Sequence, residues 1–156
     1  MKITPRIPML AMLAVASAGA IGASASAAGS GSTLVIRHQL HGCHSWSANG
    51  DGYKPSQSIM LRRGGSLSVT NNDVMPHKLV ETSGPTVTFT RLKIGMGMGL
   101  KGTFGPAMLA HMGSSSKITF GKPGVYKFTT KAGEDFMSGI KTIGEDNVLR
   151  LTVIVS

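Results

Sequence analysis

Three histidines and a cysteine crowd one short stretch of this chain, Arg37-His38-Gln39-Leu40-His41-Gly42-Cys43-His44-Ser45-Trp46. A further histidine, His77, closes a polar turn, Asn71-Asn72-Asp73-Val74-Met75-Pro76. Imidazole and thiolate together suit copper or zinc, and a thioether nearby shifts the choice to copper. Each residue also has a plainer reading. His77 can serve as a turn or capping residue. Cys43 can be a small buried hydrophobe, although a Gly-Cys-His loop is a poor place to bury one. His38 shares the apolar face of Leu34 and Ile36, which suits a hydrogen-bonded core histidine. Trp46 suits the core or a lid over the site. A thiol nucleophile at Cys43, activated by His41 or His44, needs a geometry that adjacent loop residues rarely adopt. With no orienting carboxylate evident, the sequence points away from an enzyme.

Methionines form a second group. Met96, Met98, Met108 and Met112 flank His111 in a Gly-rich span. Thioethers bind Cu(I), but methionine is also an adaptable filler of cores. Pro106 suits the first turn of a short helix and Gly113 its end. On that helix Met108, His111 and Met112 would share a face.

These groups must be positioned by strands. Leu34 and Ile36, Ile59 and Leu61, Leu67 and Val69, Ile118 and Phe120, and Tyr126 and Phe128 alternate with polar neighbours, the period of half-buried strands. Lys78–Glu81 and 87–90 add two short strands, and Leu149, Leu151, Val153 and Val155 supply the last. Turn residues such as Arg63-Gly64-Gly65 and Lys122-Pro123-Gly124 separate them. About eight short strands without long helices predict an all-β sandwich or barrel. The first strand is expected to end near Leu40, leaving residues 41–46 as a loop.

The chain starts with Lys2 and Arg6, then runs from Ile7 to Ala23 without a charge and breaks into Ala and Ser. This is the pattern of a cleaved secretory signal peptide over residues 1–27; the run is short and Ala/Gly-diluted for a membrane span. Residues 28–32 read as a Gly/Ser tether and 33–156 as one domain. The expected location is periplasmic or secreted, with no stable membrane span after cleavage. Without Lys2 and Arg6, 14 basic residues face 7 acidic ones, a net charge of +7. The basic residues are dispersed, without the dense runs and interleaved aromatics of nucleic-acid binding. They suit a soluble basic surface first, and attraction to an acidic protein partner or to anionic lipid second.

The segment from Gly65 through Val69-Thr70-Asn71-Asn72-Asp73-Val74-Met75-Pro76-His77 to Leu79 resembles the central segment of the cupredoxins. Gly124-Val125-Tyr126-Lys127-Phe128 is similar to that family's penultimate strand, and residues 149–155 to its last. The resemblance covers most of the chain from Thr33 onward. It implies a Greek-key β-sandwich and makes His77 a copper ligand. The loop that carries Cys, His and Met in copper-binding cupredoxins is here residues 129–139, which contain no Cys and no His. Only Met137 corresponds, with Glu134 and Asp135 as oxygen donors. In this fold the loop after the first strand lies at the copper end, so Cys43, His44 and His77, completed by Met137 or His41, would form a relocated copper site. The expected function is copper carriage, sequestration or one-electron transfer outside the cytoplasm, with an acidic redox or copper-handling protein as partner. The alternative is a metal-free envelope interaction module on the same sandwich.

Overall fold

Alternation of apolar and polar side chains produces nine strands in the computed structural model, which describes residues 29–38, 44–97, 100–132, 135–136, 138–139 and 148–156. They are β1 (Gly29–His38), β2 (His44–Ala48), β3 (Ser56–Asn71), β4 (His77–Ser83), β5 (Thr88–Lys93), β6 (Met108–Leu109), β7 (Ser115–Thr119), β8 (Gly124–Lys131) and β9 (Arg150–Val155). Among the described residues no helix is long and apolar enough to cross a membrane. The leader expected at residues 1–27 lies outside the described residues.

Strand β3 organises the architecture. Its first half, Ser56 to Leu61, pairs parallel with β9. Its second half, Ser66 to Asn71, pairs parallel with β1 and antiparallel with β7. One sheet therefore runs β2-β1-β3-β7-β5 and the other β3-β9-β8-β4-β6. The expected turn at Arg63-Gly64-Gly65 is instead the point where one continuous strand passes from sheet to sheet. Gly64 there adopts φ +77°, which a side chain would resist. At Gly65 an added Cβ would lie 2.7 Å from the Arg62 carbonyl oxygen.

Successive strand side chains point to opposite faces, and the inward ones meet between the sheets. Leu34, Ile36, Leu67, Val69 and Ile118 from the first sheet pack with Ile59, Leu61, Tyr126, Phe128, Leu151 and Val153 from the second. Phe120 lies edge-on to Tyr126 at 4.9 Å between ring centroids, a preferred aromatic geometry. Trp46 is fully buried in this core and is not a lid. The all-β sandwich expected from the sequence is thus the fold of the chain.

Three local expectations are corrected. Residues 44–48 form strand β2, all five buried, because they pair antiparallel with β1 from Leu34↔Ala48 to His38↔His44. The short helix expected after Pro106 is absent; Met108 and Leu109 instead pair with Lys78 and His77 of β4. That pairing buries both side chains, which a solvent-facing helical turn would not. The Gly/Ser residues 29–32 are not a tether but the start of β1, with Gly31 and Ser32 opposite Ser66 and Leu67.

Candidate metal centre

At one end of the sandwich β1 and β2 close on the pair His38↔His44, and the 71–77 turn leads into β4 at His77. The turn is held from below by Asn71, which is fully buried. Its Nδ2 donates to the carbonyls of Met75 (2.8 Å), Leu109 (3.2 Å) and His111 (3.3 Å), while its Oδ1 accepts from the Asp73 N–H at 2.9 Å. The Asn72 N–H donates to the Ile36 carbonyl at 2.8 Å, tying the turn to β1. Asp73 Oδ1 in turn accepts from the Met75 N–H at 3.1 Å. The backbone that carries Asp73 and His77 is thereby fixed on both sides.

Asp73 is the hub. Its Oδ2 accepts from His44 Nδ1 at 2.7 Å and from His77 Nε2 at 3.1 Å, and all three side chains are buried. The two imidazoles stand perpendicular, 4.6 Å between centroids. Buried polar groups normally find partners, and here half of each ring does not. His44 Nε2 and His77 Nδ1 are both buried without a hydrogen-bond partner. A neutral imidazole that donates through one nitrogen offers a bare lone pair at the other. The arrangement therefore leaves one unpartnered nitrogen on each ring, with the tautomer of both rings set by one carboxylate, as in carboxylate–histidine pairs that support metal sites.

His38 is exposed, which corrects its expected place in the core: it lies at the end of β1, beyond the last buried position, Ile36. Its ring is edge-on to His44 at 5.9 Å. His38, His44 and Asp73 each offer a ligand atom within 4.8 Å of the others. Of the expected ligands, the structure brings His44 and His77 together on Asp73; the cluster of ligand-capable atoms around His44 and Asp73 also includes His38. His41, Cys43 and Met137 lie outside the described residues, as does Glu134. Asp135 is exposed and accepts from the Ala132 N–H. Met112 and Met96 are exposed, whereas Met108 is buried, so the expected shared face of methionines does not form.

The charges follow from this geometry. Burial alone would raise the Asp73 carboxyl, but the hydrogen bonds from His44, His77 and the Met75 N–H outweigh it and hold the group well below its ordinary value of 3.8. His77 is lowered from 6.5 because burial penalises its cation; the Asp73 hydrogen bond only partly offsets this, and His44 and His38 push the same way. In both cases the unfolded chain takes up protons first, so the stabilisation is present above the unfolded value and lost as pH falls. The metal-free protein is expected to lose stability on acidification below about pH 6.5 through His77, and more steeply below about pH 3.8 through Asp73. Denaturant unfolding at a series of pH values, with His77→Gln flattening the upper arm, checks this.

No protein-family model matches the chain, and a search of curated proteins returns no match. Solved structures do match. A reduced variant of amicyanin is 15% identical over 80% of this chain and 82% of that one, with a TM-score of 0.36. The laccase from Botrytis aclada is 11% identical with a TM-score of 0.47; the match spans 81% of this chain but only 28% of the laccase. A cysteine protease inhibitor from Entamoeba histolytica is 8% identical over 80% of this chain and 95% of that one, with a TM-score of 0.39.

Proposed function

We propose that this chain binds copper outside the cytoplasm, with His44 and His77 as ligands and Asp73 as the group that aims them. The observation that carries this reading is the pair of buried ring nitrogens left without a partner while their opposite nitrogens share one carboxylate. Imidazole suits copper and zinc alike. Cys43, one residue before His44, is the thiol that would favour copper, and His41 and Met137 are the further donors the sequence supplies. When bound, copper supplies a one-electron couple.

The chain's own part is to keep the donors fixed. Asn71 locks the turn, Asp73 orients both rings, and burial keeps water from the inner nitrogens. A site clamped in this way changes little between oxidation states, which favours one-electron transfer over carriage or sequestration. Exposed His38, edge-on to His44, is the group through which the buried pair meets solvent. The leader supports a periplasmic or secreted location. A second reading, a metal-free interaction module, is favoured by one observation: residues 129–139 lack the Cys and His of copper-binding cupredoxins.

The test is a titration of the reduced protein, without residues 1–27, with one equivalent of Cu(II), followed by visible absorption and by Trp46 fluorescence. An intense thiolate-to-copper band that disappears in Cys43→Ser is expected. Weak bands with full binding would leave an imidazole site without the thiol. No uptake of Cu(II) or Cu(I) would sink the copper reading and leave the interaction module.

A further inference from the structure

Charge and apolarity are unevenly placed on the outer face of the second sheet, and the strand registers show how. Met60, Ile154 and Val125 form one row across three adjacent strands, since Met60 pairs with Ile154 and Val125 with Ile154. All three point away from the core, with 39%, 39% and 50% of their surface exposed. Scattered exposed hydrophobes are ordinary; these three instead lie contiguously across the sheet.

The next rows are hydroxylic and cationic. Lys127 pairs with Thr152, and Thr129 with Arg150. These four, with Thr82, line a shallow trough of ≈ 360 Å³. The Thr129 hydroxyl is buried there without a hydrogen-bond partner. Beyond the trough, Lys78 stands directly opposite Lys131. Like charges directly opposite one another weaken a sheet, so this pair is a cost to the free protein that an approaching anion would relieve. Among the described residues, the outward positions of β3 (Ser56 to Met60), β4, β8 and β9 carry no acidic side chain. Glu81, opposite Phe128 in the register, belongs to the inner side.

We propose that this face docks a partner protein whose surface carries carboxylates around an apolar patch. The apolar row would sit under the partner's apolar patch. Lys127, Arg150, Lys78 and Lys131 would form a cationic rim around it. An apolar centre with a polar rim is the anatomy of protein–protein contacts. A sulfated polymer or an anionic lipid surface would use the cations and leave the row of Met60, Ile154 and Val125 wet. A second copy of this chain is disfavoured, because a two-fold contact through one face would set these cations against each other. The inference rests on no metal and is independent of the copper reading.

The test uses amide NMR of the protein without residues 1–27. The probe is a synthetic peptide alternating Glu and Leu, compared with oligoglutamate and with phosphatidylglycerol vesicles. The expected result is shifts confined to residues 58–60, 125–131 and 150–154. The joint variant Lys127→Glu with Arg150→Glu, or Ile154→Ser alone, should weaken the peptide by about tenfold or more. Arg62→Glu with Arg63→Glu, at the sheet crossover, should not. Circular dichroism confirms the fold, and Lys127→Gln replaces the double variant if that variant is unfolded. No shifts at millimolar peptide, shifts spread over every lysine, or equal binding of oligoglutamate or vesicles would each overturn the proposal.

Discussion

His77→Ala is expected to weaken Cu(II) binding by at least about 100-fold, the upper end of what losing a mere supporting partner costs a metal site. The argument is local. His77 Nδ1 is a buried lone pair with no competing hydrogen bond, so it is free to ligate without breaking a protein contact. Its Nε2–H is held by Asp73 at 3.1 Å, so the ring is already oriented. Removing the ring deletes that donor. His44→Ala should behave alike, since its Nε2 is equally orphaned. His38→Ala should cost less, because that ring is exposed and outside the carboxylate's grip. His111→Ala is the comparison: its Nδ1 is likewise buried without a partner, but its ring is not bonded to Asp73. Isothermal titration against a competing chelator measures all four. An affinity of His77→Ala equal to that of the unsubstituted protein would remove His77 from the ligand set.

Asp73→Ala is expected to lower the stability of the metal-free protein by about 3 kcal/mol or more, because it leaves three N–H donors without their acceptor. One oxygen of Asp73 serves two buried N–H groups, and the other receives the Met75 N–H. Alanine strands all three donors, each at about 1–3 kcal/mol when buried. Asp73→Asn should fall between, because an amide can present its oxygen to the imidazoles or to Met75, not to both. Trp46 is the only tryptophan and is fully buried two residues from His44 in β2, so its fluorescence during urea unfolding reports the loss. A change under 1 kcal/mol for Asp73→Ala would mean that the histidines find other acceptors.

The strands were legible because each carries its own periodicity. Leu67 and Val69, or Tyr126 and Phe128, alternate strictly, and burial follows that alternation. β2 was missed although Ser45-Trp46-Ser47-Ala48 alternates, because it is only five residues long and follows directly on the His/Cys-rich stretch; its partner β1 and the core bury both of its faces. The helix expected after Pro106 failed for a related reason. Local propensity favoured a turn of helix, while the edge of β4 offered Met108 and Leu109 ladder hydrogen bonds. In the site, His44 and His77 were readable from residue type, whereas Asp73 was not singled out. Its signal was there, a carboxylate four residues before His77 in an Asn-rich turn, but only folding places His44 on the same oxygen. His38 was misjudged because alternation gives a side chain's direction and not where the core ends.

One feature of the topology also governs the order of assembly. β9, the last strand in sequence, occupies the middle of the second sheet, between β3 and β8. Residues 29–119 hold the strands of the first sheet, but until residues 150–155 arrive, β3 and β8 have no common neighbour and Tyr126 and Phe128 lack Leu151 and Val153 beside them. Closing that gap joins segments about ninety positions apart at Ile59↔Val153, and contacts of such sequence separation form slowly. A chain emerging from the ribosome thus cannot complete this core before β9 is made. Until then the position between β3 and β8 in the second sheet stays empty.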